Sequence, residues 1–409
     1  IFGSARAYLC GDAFHQLAER HAGGALGGEV ALSPMRWEGS EVFGDSMRVR
    51  RGEGSEIHAR HLRAEWNWHA VFSGAWRLEE VSVESLEGSL GPMKVAPTAG
   101  PDSQAPWFAA LLPKRFEMGP VKIHRAELDF GNIALRGSAF EILREIGEWK
   151  ISGSGGTLNV PGWPALDVET FQGRVAGAGF AIDSSSLRAG ESGNIEVAGL
   201  WPGKLDLGWR NVALSDWVEA RWRSFVSGRV SGNATVDSSG AVGNFRIEDG
   251  RFSGAPWLDT VATLTGVREF QSLVFTRADG NFEKRAEAWH LTNLVLESEG
   301  LLRIEGSVEV MADRKLSGAL RVGVAAKVLR SMPGADGLVF SQAGDGYFWA
   351  PVALGGTLDA PTEDLSTRLA ASVGGAVIES VRPALEAVPE RARDAVGDTI
   401  NTLFDILGR

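Results

Sequence analysis

Between residues 291 and 326 apolar and charged positions alternate. Leu294, Leu296, Leu302, Ile304, Val308, Val310, Leu316, Leu320, Val322 and Val324 share even numbers, and Glu297, Glu299, Arg303, Glu305, Glu309 and Arg321 fall between them. Successive side chains of a strand point to opposite faces, so this spacing predicts strands with one apolar and one charged face. Val352, Leu354 and Leu358 continue the period in VALGGTLDAP, until Asp359-Ala360-Pro361 interrupts it. Proline cannot donate to a sheet ladder, so the strands are expected to end at Pro361. Helical spacing then takes over. Leu365, Leu369, Val373, Val377, Val381 and Leu385 recur every four residues, and Val396, Ile400, Leu403, Phe404 and Leu407 form a second apolar stripe.

Upstream, Leu9, Ala13, Phe14 and Leu17 are spaced for a helix over 6–22, which GGALGG at 23–28 would end. Strand-like runs follow, broken at 91–106 by four prolines that read as a long exposed loop. Asp216 and Glu219 are placed like a capping box for a short helix reaching about Phe225. Pro256 suits the first turn of another helix. The chain thus divides into an N-terminal helix (1–28), a first β region (29–240), a second β region (241–360) and an amphipathic helical tail (361–409).

A mainly β protein with one-sided strands must cover its dry face. Two solutions stay open on pattern alone. One is a sandwich of two sheets. The other is one long, curled antiparallel sheet whose apolar face forms a groove. The absence of a strict repeat argues against a propeller.

Composition changes this picture in a few places. The 409 residues include 52 glycines, above the usual share of about 7%, which reads as many turns. Net charge is −11 with no long basic run, which argues against a nucleic-acid partner. Cys10 is the only cysteine, so no intrachain disulfide forms and structural zinc is not expected. No run of 18 apolar residues occurs, but the chain starts at Ile1 without methionine, so a removed upstream segment such as a signal anchor is expected.

Candidate chemistry is sparse. His58, His61 and His69 are the densest histidine group, but their offsets on a strand turn His58 away from the other two. A solvated surface is the plainer reading. No HExxH or GxSxG occurs, and neither GGALGG nor SGSGG (152–156) is followed by Gly-Lys-Ser/Thr. Glu79-Glu80 reads as a wet strand edge. A non-enzymatic binding protein without catalytic residues, metal or cofactor is the expectation.

Three segments resemble the AsmA-like family of bacterial envelope proteins, relatives of TamB and, more distantly, of chorein-type lipid-transfer bridges. They are the N-terminal helix with GGEVALSPMRWEG, the stretch GNFRIEDGRFSGAPWLDTVATLTG (243–266) continued by WHLTNLVLESEGLLRIEGSVEV (289–310), and the closing VALGGTLDAP. In the second, Glu248-Asp249-Gly250 would be a turn between strands. Residues 90–240 depart from the family's pattern.

The resemblance implies a β-taco, a long sheet curled around a hydrophobic groove. It also implies a periplasmic body tethered to the inner membrane by an N-terminal anchor, and a role in phospholipid transport or outer-membrane maintenance. The groove would then shield acyl chains with Leu294, Leu296, Leu302, Ile304, Val308, Val310, Leu316, Leu320, Val322, Val324, Val352, Leu354 and Leu358. The stripe Val396, Ile400, Leu403, Phe404 and Leu407 would cap the groove or dock an envelope protein partner. Two rival readings stand beside it. One is an assembly scaffold that carries no lipid and pairs through a free edge strand. The other is a carbohydrate-binding or carbohydrate-cleaving protein using some of the 14 tryptophans as platforms.

Overall fold

The structure is a computed structural model that describes residues 11–26, 28–52, 54–67, 75–89, 115–145, 148–161, 163–176, 179–201, 203–217, 223–254, 262, 267–286, 288–330, 339–357, 360–365 and 367–368. Strand makes up 73% and helix 10%, which sets the class as mainly β, a long mixed sheet with a short N-terminal helix. The described residues fall into two compact units. One comprises Ile1–Pro161, Ala165–Arg188 and Ala198–Pro202; the other comprises Gly162–Pro164, Ala189–Val197 and Gly203–Arg409.

In the first unit the helix Asp12–Leu26 buries Phe14 against Trp37, their rings 6.2 Å apart, and Trp37 meets Trp66 at 5.6 Å. The same helix reaches the short strand Glu29–Leu32. Glu19 accepts the Leu32 N–H at 3.0 Å, and His15 Nε2 donates to the Leu32 carbonyl at 2.9 Å. Two helical side chains therefore satisfy an edge that would otherwise be open to pairing.

Strands Glu41–Arg51, Ser55–Trp66 and Ala75–Ser89 form an antiparallel meander. Then the direction changes. Arg115–Met118 and Val121–Phe130 both run parallel to Ala75–Ser89, so the sheet is mixed and the expectation of an antiparallel sheet throughout is corrected. The 25 residues at 90–114 explain this, because parallel neighbours need a connection of about a dozen residues or more. Ile133–Glu145, Glu148–Ser154 and Leu166–Ala176 continue in antiparallel fashion.

The second unit contains Leu205–Ala213, Val226–Asp237, Gly240–Ser253, Arg277–Arg285, Ala288–Ser298, Leu302–Val310, Leu316–Ala325 and Tyr347–Gly356, each antiparallel to the next. Its ladder is repeatedly bulged. Register shifts occur at Trp209/Val212, Ser227/Arg229, Asp279/Asn281 and Leu291/Leu294. Asn211, Asp249 and Asn293 hold φ near +55°, at 58°, 52° and 53°, a conformation that short polar side chains tolerate. Each bulge bends its strand and increases local twist.

Several sequence expectations change here. Asp249 lies inside the strand Gly240–Ser253 rather than in a turn between strands, because it and Gly250 together oppose Gly228 as a bulge of that strand. The short helix spans Leu214–Trp217, so Asp216 sits within it and is not its cap. Pro361 does not end the strands. It opens the three-residue strand Pro361–Glu363, which pairs with Leu354–Gly356 after a turn closed between Thr357 and Ala360. As the first residue of an edge strand it withdraws no needed donor. Pro256, Leu358, the loop 91–106 and the tail stripe Val396, Ile400, Leu403, Phe404 and Leu407 lie outside the described residues.

Candidate functional site

The register aligns the even-numbered apolar residues of the second unit into rows that cross several strands. One row runs Ala278, Leu296, Ile304, Val322, Ala350. Next to it run Leu294, Gly306, Leu320, Val352, and then Phe282, Leu291, Val308, Gly318, Leu354. Leu302 pairs with Val324, and Val310 with Leu316, at opposite ends of the same strands. No charged residue interrupts the first three rows.

Burial along these rows is uneven. Val308, Val310, Leu316, Val324 and Val352 are buried, whereas Leu294, Leu296, Leu302, Ile304, Leu320, Val322 and Leu354 are half-buried. Leu302 and Val324 belong to a packed cluster with Phe270, Leu273, Val328, Leu329, Val339 and Phe340. That cluster closes one end of the face. The middle, around Leu296, Ile304, Leu320 and Val322, is not drawn into it.

Number parity missed two residues of this face. The bulge at Leu291/Leu294 reverses parity, so odd-numbered Trp289 and Leu291 join the even-numbered set. Thr292-Asn293 was the available signal, since asparagine accepts the left-handed conformation found there. Trp289 is 6.1 Å from Phe282, which is 6.3 Å from Trp209, giving a buried aromatic row.

Glycines make this row possible. A Cβ on Gly232 would lie 2.7 Å from the Trp209 ring, and one on Gly243 would lie 2.7 Å from the Phe282 ring. The first unit uses the same device. Phe140, Phe171 and Phe180 follow one another at 6.4 and 5.6 Å, lying against Gly153 and Gly173. Part of the glycine excess therefore serves strand interiors under aromatic rings, not turns alone.

The opposite face is polar and zipped across strands. In the second unit Arg303 lies 3.7 Å from Glu297 and 2.5 Å from Glu305, and Arg321 Nε donates to Glu305 at 2.6 Å. The Arg321 guanidinium also stacks 4.4 Å over Trp349, and Tyr347 donates to Glu297 at 3.0 Å. Burial pushes the Glu305 carboxyl upward, but hydrogen bonds from Arg321 and Arg303 outweigh it and hold the group below its ordinary value. Burial, with the Glu297 hydrogen bond, raises the Tyr347 phenol.

His58 pairs in register with Arg48 and with Glu87 on the neighbouring strands, and His61 is exposed. His69 lies outside the described residues. Among the described residues no three His, Cys, Asp or Glu side chains come together in a way that could hold a metal ion. No helix among them is long and apolar enough to cross a membrane. No protein-family model, curated protein or solved structure matches the chain. The arrangement offers contact with apolar matter along an uncharged strip.

Proposed function

We propose that the apolar face lines a groove that shields acyl chains, in the manner of AsmA-like lipid-transfer proteins. The observation that carries this reading is the half-buried strip of Leu294, Leu296, Ile304, Leu320 and Val322, uncharged across its rows and backed by an ion-paired face. In a sandwich an opposing sheet would bury such a strip fully. Repeated bulges support a curled sheet, since each one bends its strand.

The mechanism would be solvation. An acyl chain entering water loses about 0.8 kcal/mol per methylene, and an apolar lining removes most of that cost while the headgroup stays wet. Selectivity among chains would be low, because a methylene contact discriminates weakly. The resemblance supplies the wider frame of a periplasmic body tethered to the inner membrane, carrying phospholipid or another acyl lipid.

Edge coverage weighs against the scaffold reading. Leu32 is held by Glu19 and His15. The outer side of Tyr347–Gly356 is occupied in turn by Gln342–Gly344, an Arg368 bond to the Pro351 carbonyl, Asp364 on the Ala353 N–H and Pro361–Glu363. A partner strand would first have to displace these.

The test is native mass spectrometry with lipid extraction on protein purified from membranes in mild detergent. Retained phospholipid should vanish in Leu296→Asp/Ile304→Asp/Val322→Asp and persist in Ser307→Asp, on the other face of the same strand. A folded wild-type protein carrying no lipid would sink the proposal.

A further inference from the structure

Among the described residues seven large apolar side chains stand exposed, and three of them gather at one end of the first unit's strands. Val175 is 42% exposed near the end of Leu166–Ala176, and Leu200 and Trp201 are 43% and 58% exposed at the end of Gly193–Trp201. The strand Gly179–Ala189 lies between them. A Cβ on Gly173 would lie 2.5 Å from the Phe180 ring, and one on Gly179 would lie 2.7 Å from the Trp201 carbonyl and 3.4 Å from Leu200 Cδ1. The three strand ends are therefore neighbours.

The sequence here is unlike that of the other exposed apolar positions. VAGAGFAI (175–182) and VAGLWPG (197–203) contain no charged or hydrogen-bonding side chain other than the Trp201 indole. The cation nearest these ends is already ion-paired. Arg174 immediately precedes Val175 and lies 3.3 Å from Asp183 and 3.8 Å from Glu148.

We propose that these paired tips insert into the headgroup region of a lipid bilayer. At the roughly 150–250 Å² that a large side chain carries, the three exposed fractions amount to about 300 Å². A stable protein interface needs about 800 Å² per partner, so a second copy or a protein partner is poorly served. A bilayer sets no such minimum, because each apolar side chain partitions on its own. Tryptophan is favoured at that depth, where its ring meets acyl chains and its N–H stays wet. Vesicle binding does not depend on the groove, so either proposal can fail alone.

The experiment is flotation of residues 1–409 with phosphatidylcholine vesicles containing a minor share of phosphatidylglycerol. Wild type should float. Leu200→Glu/Trp201→Glu should lose at least tenfold in bound fraction while keeping its thermal midpoint, and the gentler Leu200→Ser/Trp201→Ser should lose most of it. Val274→Glu, at an exposed apolar site in the second unit, should stay within twofold of wild type. The proposal is overturned if wild type stays at the bottom, or if Val274→Glu loses as much as the tip variants. It also fails if wild type forms a dimer that the tip variants dissolve without any vesicle binding.

Discussion

The apolar faces of the two units are built from similar rows but are closed by different means. In the first unit the row Met47, Ala59, Leu86, Ala126 alternates large with small and ends on Ser138, and Ala59, Ala126 and Ser138 are fully buried. Their larger neighbours Leu62, Val83, Ile123, Phe140 and Leu128 pack around them. In the second unit one row sets Leu296, Ile304 and Val322 side by side, all half-buried, between buried Ala278 and Ala350. There the closing material comes from outside the ladder, as Phe270, Val328, Leu329, Val339 and Phe340 pack over one end. A sheet face can thus be filled from within the ladder by alternation of size, or at one end by segments from outside it.

The largest expected effect comes from removing that cover. Phe340 is 2% exposed, so Phe340→Ala should cost about 3–5 kcal/mol in the second unit, as large core deletions do. Leu62→Ala, at a half-buried position of the self-closed face, should cost less, about 1–2 kcal/mol, and act in the first unit. Urea unfolding followed by amide exchange in each unit separates the two. If Phe340→Ala costs under about 1 kcal/mol, the cluster does not close that face.

Glycines beneath rings sharpen the comparison further. At Gly153 an added Cβ would meet the Phe140 ring first, at 2.5 Å, while at Gly243 it would meet the Asn233 backbone carbonyl first, at 2.3 Å. Both alanine variants should cost about 1–3 kcal/mol through overpacking. Rescue should differ. Phe140→Leu should recover part of the loss from Gly153→Ala, because the ring is the obstacle, whereas Phe282→Leu should recover little from Gly243→Ala. A double-mutant cycle measures both couplings. Equal rescue at the two sites would mean that the rings, not the backbone, limit both.

These residues also show how far the sequence could be read. Strand alternation from Leu294 to Val324 was legible, because period 2 is local and the strands are long. The parallel pairing of Ala75–Ser89 was not, since partner choice depends on a connection whose course has no periodic signal. Nor was the inclusion of Trp289 and Leu291, where one bulge residue reverses parity for everything beyond it. Glycine was misread as turn chemistry alone, because the ring above Gly243 comes from a strand about forty residues away in sequence. Pro361 was misread as a stop because edge and central strands look alike before pairing is known. The open middle strip could not be seen at all. Which apolar residues remain uncovered depends on segments such as 339–340, which carry no pattern of their own.

The smallest effect concerns the opposite faces. The first unit's pairs, such as Arg60 with Glu87 at 3.2 Å and Lys122 with Glu80 at 2.8 Å, are well exposed and contribute little each. In the second unit Glu305 is only 14% exposed and sits between Arg303 and Arg321. Because its folded value lies below the ordinary one, its stabilisation is fully present above about pH 4.3, the range of a free glutamate. It is lost as pH falls through the lower folded value, since the unfolded chain then binds the proton more readily. The second unit should therefore lose stability more steeply than the first between about pH 5 and pH 3. Glu305→Gln, which removes the titrating group while keeping its shape, should flatten that difference. Unit-resolved amide exchange against pH reads it directly. An unchanged slope in Glu305→Gln would mean that the network between Arg303 and Arg321 adds no more to the fold than the exposed pairs of the first unit.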